Sequence, residues 1–237
     1  MCIRDSQKKI LRDAFFEAFE TYETGCAPVI QELNSGVRPE RQTELLERAA
    51  EAMLDELSAG WEKKNDMEDE KVILAIFFVP MVRKLQLPVS EEFVSLLQKK
   101  WVERYPKSPF YLGDYESISG GFRKKFLGLC FITTAVCQEL GKPDDCAELT
   151  AFRAFRDGYL AAQPDGEALI REYYNIAPGI VTCINTCSDR HASYERIREQ
   201  YLTPCYEDLL AGRNADCKTR YVQMAVSYTH LTLPTKR

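Results

Sequence analysis

Histidine is nearly missing from this chain: 237 residues hold two, His191 and His230. A lone His191 has no imidazole partner for acid–base or metal chemistry and reads as a solvent-facing helical residue. Long apolar runs are missing as well. The longest, Val72–Val82 (VILAIFFVPMV), falls well short of the ~20 residues a membrane crossing needs. It reads as a buried helix kinked at Pro80, whose ring removes a backbone donor. There is no C-x-x-C knuckle, no Gly-rich phosphate loop after a strand, no H-E-x-x-H and no carboxylate pair in a catalytic setting, so no enzyme signature is recognised. Excess basic charge is lacking too. Lys and Arg number 31 against 36 Asp and Glu, a net charge of −5. Binding a phosphate backbone relies on clustered Lys and Arg, and the only tight cluster, Arg123–Lys125, reads as a solvated helix face. Neither a nucleic-acid partner nor a membrane span is expected.

The two ends do not read as native protein. Met1–Ser6 (MCIRDS) is the translation of ATG TGT ATA AGA GAC AGN, a transposase adapter used in sequencing libraries. Val226–Thr235 (VSYTHLTLPT) is the translation of its reverse complement running into the primer, and Ala225 fits the same frame. Residues 1–6 and 225–237 are therefore set apart from the fold as adapter-derived. The remainder is expected to be a piece of a longer bacterial protein of metagenomic origin.

Between these ends the pattern is helical throughout. Ile10, Leu11, Ala14, Phe15, Ala18, Phe19 and Tyr22 form a stripe that Gly25 and Pro28 are expected to end. Pro39–Trp61 carries Leu45, Leu46, Ala49, Ala50, Met53, Leu54 and Leu57 on one side and charges on the other. Asn65 with Glu68, and Asp145 with Glu148, have the spacing of helix-capping pairs. Pro88-Val89-Ser90 opens a helix with Glu91 and Glu92 in its first turn, where the helix dipole favours them. Lys107–Gly121 (KSPFYLGDYESISGG) reads as a linker, or as a loop docked through Phe110, Tyr111 and Tyr115. A helix is expected from Phe122 through Leu140, capped by Gly141 in a left-handed conformation and barred from continuing by Pro143. Another runs to about Ala162. Pro178 reads as the first turn of a new helix, and Pro204 as the restart of one. No alternating strand pattern appears. The expectation is an all-α bundle of about eight to ten helices, with an N-terminal helical bundle over 7–106, the 107–121 connection, and a C-terminal helical domain over 122–224.

The run Cys130-Phe131-Ile132-Thr133-Thr134-Ala135, then Phe152-Arg153-x-Phe155-Arg156-Asp157-x-Tyr159-Leu160, Gly166, Leu169, Tyr173-Tyr174 and Ala177-Pro178, resembles the CFI-box found at the C-terminus of many bacterial proteins. The likeness covers roughly 122–184. Val136, Cys137 and Gln138 stand where the more familiar form continues Ala-Tyr-Gly. The resemblance implies a domain and carries no reaction with it.

Nine cysteines are present, and seven of them fall between Cys130 and Cys217. An odd number in a large helix-rich chain favours reduced thiols and a cytoplasmic setting. Three readings are open. The first is a zinc site. Cys130 and Cys137 lie about 10 Å apart along one helix at ~1.5 Å per residue, too far to share a metal with zinc–sulfur bonds of ~2.3 Å. Cys137 and Cys146 flank the Gly141–Pro143 corner, and Cys183 and Cys187 share a helix face. These four are the candidate ligands of a zinc ion. The second is thiol chemistry at Cys130, the candidate catalytic residue, which then needs Arg153 or Arg156 to favour its thiolate. The third is plain packing of cysteines as small hydrophobes. Arg153 is expected to pair with Asp157 one turn on. Arg153 and Arg156 are also candidate contacts for an anion or an acidic partner. The expected role is a structural or interaction module that docks onto a protein partner or an upstream domain, with a cysteine-based zinc or thiol-redox domain as the alternative.

Overall fold

The computed structural model describes residues 8–62, 64–123, 130–186 and 189–231. Among them the chain forms ten helices and no sheet. It divides into two compact units, one built mainly on Ala14–Phe122 and the other on Arg123–Asn185 with Asp189–Arg237.

In the first unit α1 spans Phe15–Gly36 and buries Phe15, Phe19 and Ile30. The helix does not stop at Pro28, because Ile30 continues the buried face and its burial outweighs one absent hydrogen bond. After a 3-10 turn at Pro39–Arg41, α2 (Gln42–Ala59) buries Leu46, Ala50 and Leu54, spaced one turn apart. The next helix, α3, runs from Lys64–Ile73 through a π-helical turn at Leu74–Phe78 into Val79–Lys84, and every residue from Leu74 to Val82 is buried. Asn65 lies inside this helix, and Glu68 pairs with Lys71 at 2.5 Å instead of capping. α4 (Ser90–Arg104) lies against α2, tied by Lys100–Glu51 at 2.8 Å and Arg104–Asp55 at 2.7 Å. The stretch after α4 is a docked loop. Trp101 Nε1 donates to Ser108 O at 2.7 Å, Gln98 Nε2 donates to Phe110 O at 2.6 Å, and Phe110 is fully buried. It leads into α5 (Tyr115–Arg123), whose Phe122 stacks on Phe15 at 3.9 Å.

The second unit holds α6 (Phe131–Glu139), α7 (Ala147–Ala154, extended by a π-helical turn at Phe155–Leu160), α8 (Gly166–Asn185), α9 and α10 (Asn214–Leu231). α9 comprises Arg190–Ile197, a π-helical turn at Arg198–Leu202, and Thr203–Leu210. Pro178 sits inside α8, and Pro204 continues α9 instead of restarting it. All three π-helical turns close with a bond five residues back, and two of these bonds, Val79 N–H to Leu74 O and Thr203 N–H to Arg198 O, fall immediately before Pro80 and Pro204. The wider turn shifts the bonding ladder at the point where proline offers no donor, so the helix passes through. α7 begins after Cys146 with no side-chain cap, so Asp145 and Glu148 do not form the expected capping pair. Among the described residues no helix is long and apolar enough to cross a membrane.

Candidate functional site

The corner between α6 and α7 assembles the densest chemistry in the second unit. Gly141 adopts φ of 68°, as its place after the helix predicts. Gly141 N–H donates to Gln138 O at 3.0 Å and Lys142 N–H donates to Cys137 O at 2.8 Å. These are the two bonds of a Schellman turn, and they put Cys137 and Lys142 at its reciprocal ends. Cys146 N–H then bonds Pro143 O at 3.1 Å, folding the chain back so that Cys146 stands directly before α7. The sulfurs of Cys137 and Cys146 end 3.7 Å apart. Cys137 is buried and Cys146 half-buried. Lys142 forms an ion pair with Glu148 across the corner. That bond from Lys142 holds the Glu148 carboxyl below its usual range, and the Cys146 thiol beside it acts in the same direction. Burial, followed by the Cys146 contact, pushes the Cys137 thiol up to about 12.

A cavity of about 240 Å³ opens beside this corner, lined among others by Cys137, Lys142, Glu148, Arg198, Phe152 and Tyr206. Arg198 gives Nη2 to Glu195 at 2.9 Å, while its buried Nε has no partner. Lys142, Glu148 and Arg198 are not evident as site residues from sequence. The only advance signal is the opposite charge of Lys142 and Glu148 on the two sides of the Gly-Lys-Pro corner.

Cys130 occupies a second cluster. It does not lie mid-helix: with φ of −108° and ψ of 78° it is the residue before α6, and its carbonyl accepts the first helical bond, from Thr134 N–H at 2.6 Å. The Ile132 N–H that a helix start leaves unpaired donates to the Tyr173 hydroxyl at 3.0 Å. Arg156 Nη1 reaches Cys130 Sγ at 3.6 Å and the Tyr174 hydroxyl at 2.8 Å. Its Nε and Nη2 fork onto Asp157 at 2.7 and 2.8 Å. Arg153 does not pair with Asp157. It bonds Asp144 Oδ1 at 2.8 Å and Asp144 O at 2.7 Å, and so ties α7 to the corner. An apolar cavity of about 70 Å³ adjoins Cys130, Phe155, Tyr173 and Tyr221. Burial raises the Cys130 thiol, and the opposing fields of Arg156 and then Arg153 do not reverse it. Arg156 thus joins the start of α6, α7 and α8, and Cys130 stays a protonated, buried thiol. The residues that carry the family resemblance, among them Cys130, Phe131, Phe152, Phe155, Tyr173, Tyr174 and Ala177, pack in this same core.

Of the four candidate zinc ligands, the structure brings Cys137 and Cys146 together. Among the described residues no three His, Cys, Asp or Glu side chains converge as a metal site, so Cys183, buried in α8, does not complete the pair. Cys187, like Lys124 and Lys125, lies outside the described residues. Cys205 and Cys217 are a second close pair, both without solvent contact, and Cys205 Sγ lies 3.8 Å from Cys217 O. Comparison with protein-family models, curated proteins and solved structures finds no match to this chain.

Proposed function

We propose that the second unit, a CFI-box-like helical scaffold, works by thiol–disulfide chemistry at Cys137 and Cys146. The observation that carries this reading is the 3.7 Å sulfur–sulfur approach across a turn-closed corner. A disulfide needs ~2.05 Å, so closure asks for an approach of about 1.7 Å. Cys146 stands ahead of the first turn of α7, so a rotation of its side chain towards Cys137 leaves the bonds of both helices in place. Half-exposure of Cys146 gives reagents access to the pair, whereas Cys205 and Cys217 are sealed. Oxidation joins the two sulfurs and releases two protons, with two electrons passing to an external disulfide that is reduced to two thiols. Exposed large apolar side chains, the mark of a docking module, are spread over α1, α4, the loop after α4, α9 and α10. The close sulfur–sulfur approach therefore supports the thiol pair over a docking face as the working feature of this unit.

The test uses the full chain, purified reduced and treated with a mild thiol oxidant, followed by peptide mapping. The expected result is a Cys137–Cys146 linkage that forms first and reverses with dithiothreitol. Linkage of other cysteines first, or none at this pair, defeats the reading. Zinc assayed in parallel tests the metal alternative: about one zinc per chain, released together with these two thiols, would assign the pair to a metal site instead.

A further inference from the structure

We infer that the cavity beside Cys137 binds a low-molecular-weight thiol bearing a carboxylate, and that this thiol exchanges with the pair through Cys137. The inference rests on the thiol-pair reading and names its small-molecule partner. Cys137 is part of the cavity wall and Cys146 is not. An occupant's sulfur therefore meets Cys137, with Cys146 as the sulfur displaced from it. The charged groups in the wall are Lys142, Arg198 and Glu148, and Arg198 is paired outside the wall with Glu195. Lys142 is already engaged with Glu148, but Arg198 Nε is a buried donor with nothing to bond. A buried unpaired donor on a cation is satisfied best by a carboxylate oxygen. The volume of about 240 Å³ corresponds to roughly eight waters at ~30 Å³ each, the room of an amino-acid-sized thiol and far less than a protein segment needs.

The exchange balances as follows. The thiolate of the small thiol attacks Cys137 Sγ of the oxidised pair. The Cys137–Cys146 bond breaks, a Cys137–S–S–R bond forms, and the electron pair leaves on Cys146, which takes up a proton. A second small thiol attacks the R sulfur, forming R–S–S–R and releasing Cys137 as a thiol. Two small thiols are oxidised and one protein disulfide is reduced. Cys137 is the poorer leaving group because burial favours its protonated form, so opening of the pair by attack on Cys137 with loss of Cys146 is the favoured direction.

The experiment treats the oxidised full chain with 3-mercaptopropionate, 2-mercaptoethanol or cysteamine. Adducts are followed by intact mass and peptide mapping, and rates are compared per thiolate. The expected result is an adduct on Cys137 that forms about tenfold faster with the carboxylate-bearing thiol than with the neutral one, and more slowly still with the cationic one. Arg198→Gln and Lys142→Gln, both at partly exposed side chains, are expected to erase that order. An adduct on Cys146, or equal rates for the three thiols with the wild-type chain, overturns the inference while leaving the thiol pair standing. Failure of the Cys137–Cys146 disulfide to form at all overturns the thiol-pair reading itself, and this inference with it.

Discussion

Closing the Cys137–Cys146 disulfide should stabilise the second unit by an amount set by the loop it closes. The cysteines are nine residues apart. Loop-closure entropy removed from the unfolded chain scales with the logarithm of that length and comes to about 2.6 kcal/mol at 25 °C for a loop of this size. The native state gives some of this back, since the sulfurs must approach by about 1.7 Å and the Lys142–Glu148 ion pair spans the same corner. For a protein of this length ~1 kcal/mol moves Tm by roughly 2–4 °C, so the ceiling is a rise of roughly 5–10 °C. The assay is a pair of thermal melts of the full chain, oxidised and reduced, with peptide mapping of each sample. The Cys146→Ser chain serves as control and should melt identically under both conditions. A lower Tm on oxidation, in a sample mapped to this linkage, would refute the reasoning: it would show that the corner cannot close without strain exceeding the entropy gained.

The raised Cys137 thiol makes stability fall at high pH. Its folded value of about 12 lies above the ordinary value near 9, so the stabilisation is complete below about pH 9 and is lost as pH rises towards about 12. Cys130, Cys205 and Tyr173 are raised in the same direction. The difference between wild type and Cys137→Ser in alkaline denaturant titrations therefore isolates this group, and parallel curves for the two chains would contradict the assignment. At Gly166 a Cβ would lie 1.9 Å from Leu160 O. Gly166→Ala is expected to destabilise the second unit by about 2–3 kcal/mol in urea, and a change under about 0.5 kcal/mol would mean that the turn between α7 and α8 is looser than described.

Much of this architecture is legible in the sequence because its signals are local. Leu46, Ala50 and Leu54 repeat at helical spacing and are buried on one face of α2. Gly141 announces a left-handed cap and adopts one. That Cys137 and Cys146 flank this corner is legible too, and the structure brings their sulfurs to 3.7 Å. The prolines are read less well. Pro28 looks like a helix end and Pro178 like the first turn of a new helix, yet both sit inside long helices. Flanking side chains such as Ile30, Ala177 and Ile180 are buried on the continuation, and a single missing hydrogen bond does not outweigh them. The start of α6 is illegible for a different reason. Its first-turn donor is satisfied by Tyr173, 41 residues away, so no capping residue marks it locally. For the same reason Cys130 reads as a mid-helix cysteine from sequence and is in fact the residue that begins the helix. Arg198 could not be assigned to the cavity, because its position depends on how α9 packs against α7.

In the proposed thiol chemistry the Schellman corner is what holds the two sulfurs close, and Gly141 tests that link directly. No atom lies within 4 Å of where a Cβ at Gly141 would stand, so Gly141→Ala introduces no clash. What it introduces is the penalty of holding an L-residue at φ of 68°, roughly 1 kcal/mol. If the turn positions the sulfurs, part of that penalty is relieved whenever the turn opens, and the reduced chain with separated sulfurs gains relative to the closed disulfide. The equilibrium with an external thiol–disulfide buffer then shifts towards the reduced pair by at most about fivefold, the factor that ~1 kcal/mol allows. Gly141→Asn, which tolerates the left-handed conformation better, should shift it less. The alternative holder of the corner is the Lys142–Glu148 ion pair. It is partly exposed and screened, so Glu148→Gln should move the same equilibrium by less than Gly141→Ala. The reverse order would show that charge across the corner, and not the backbone turn beneath it, brings Cys137 and Cys146 together.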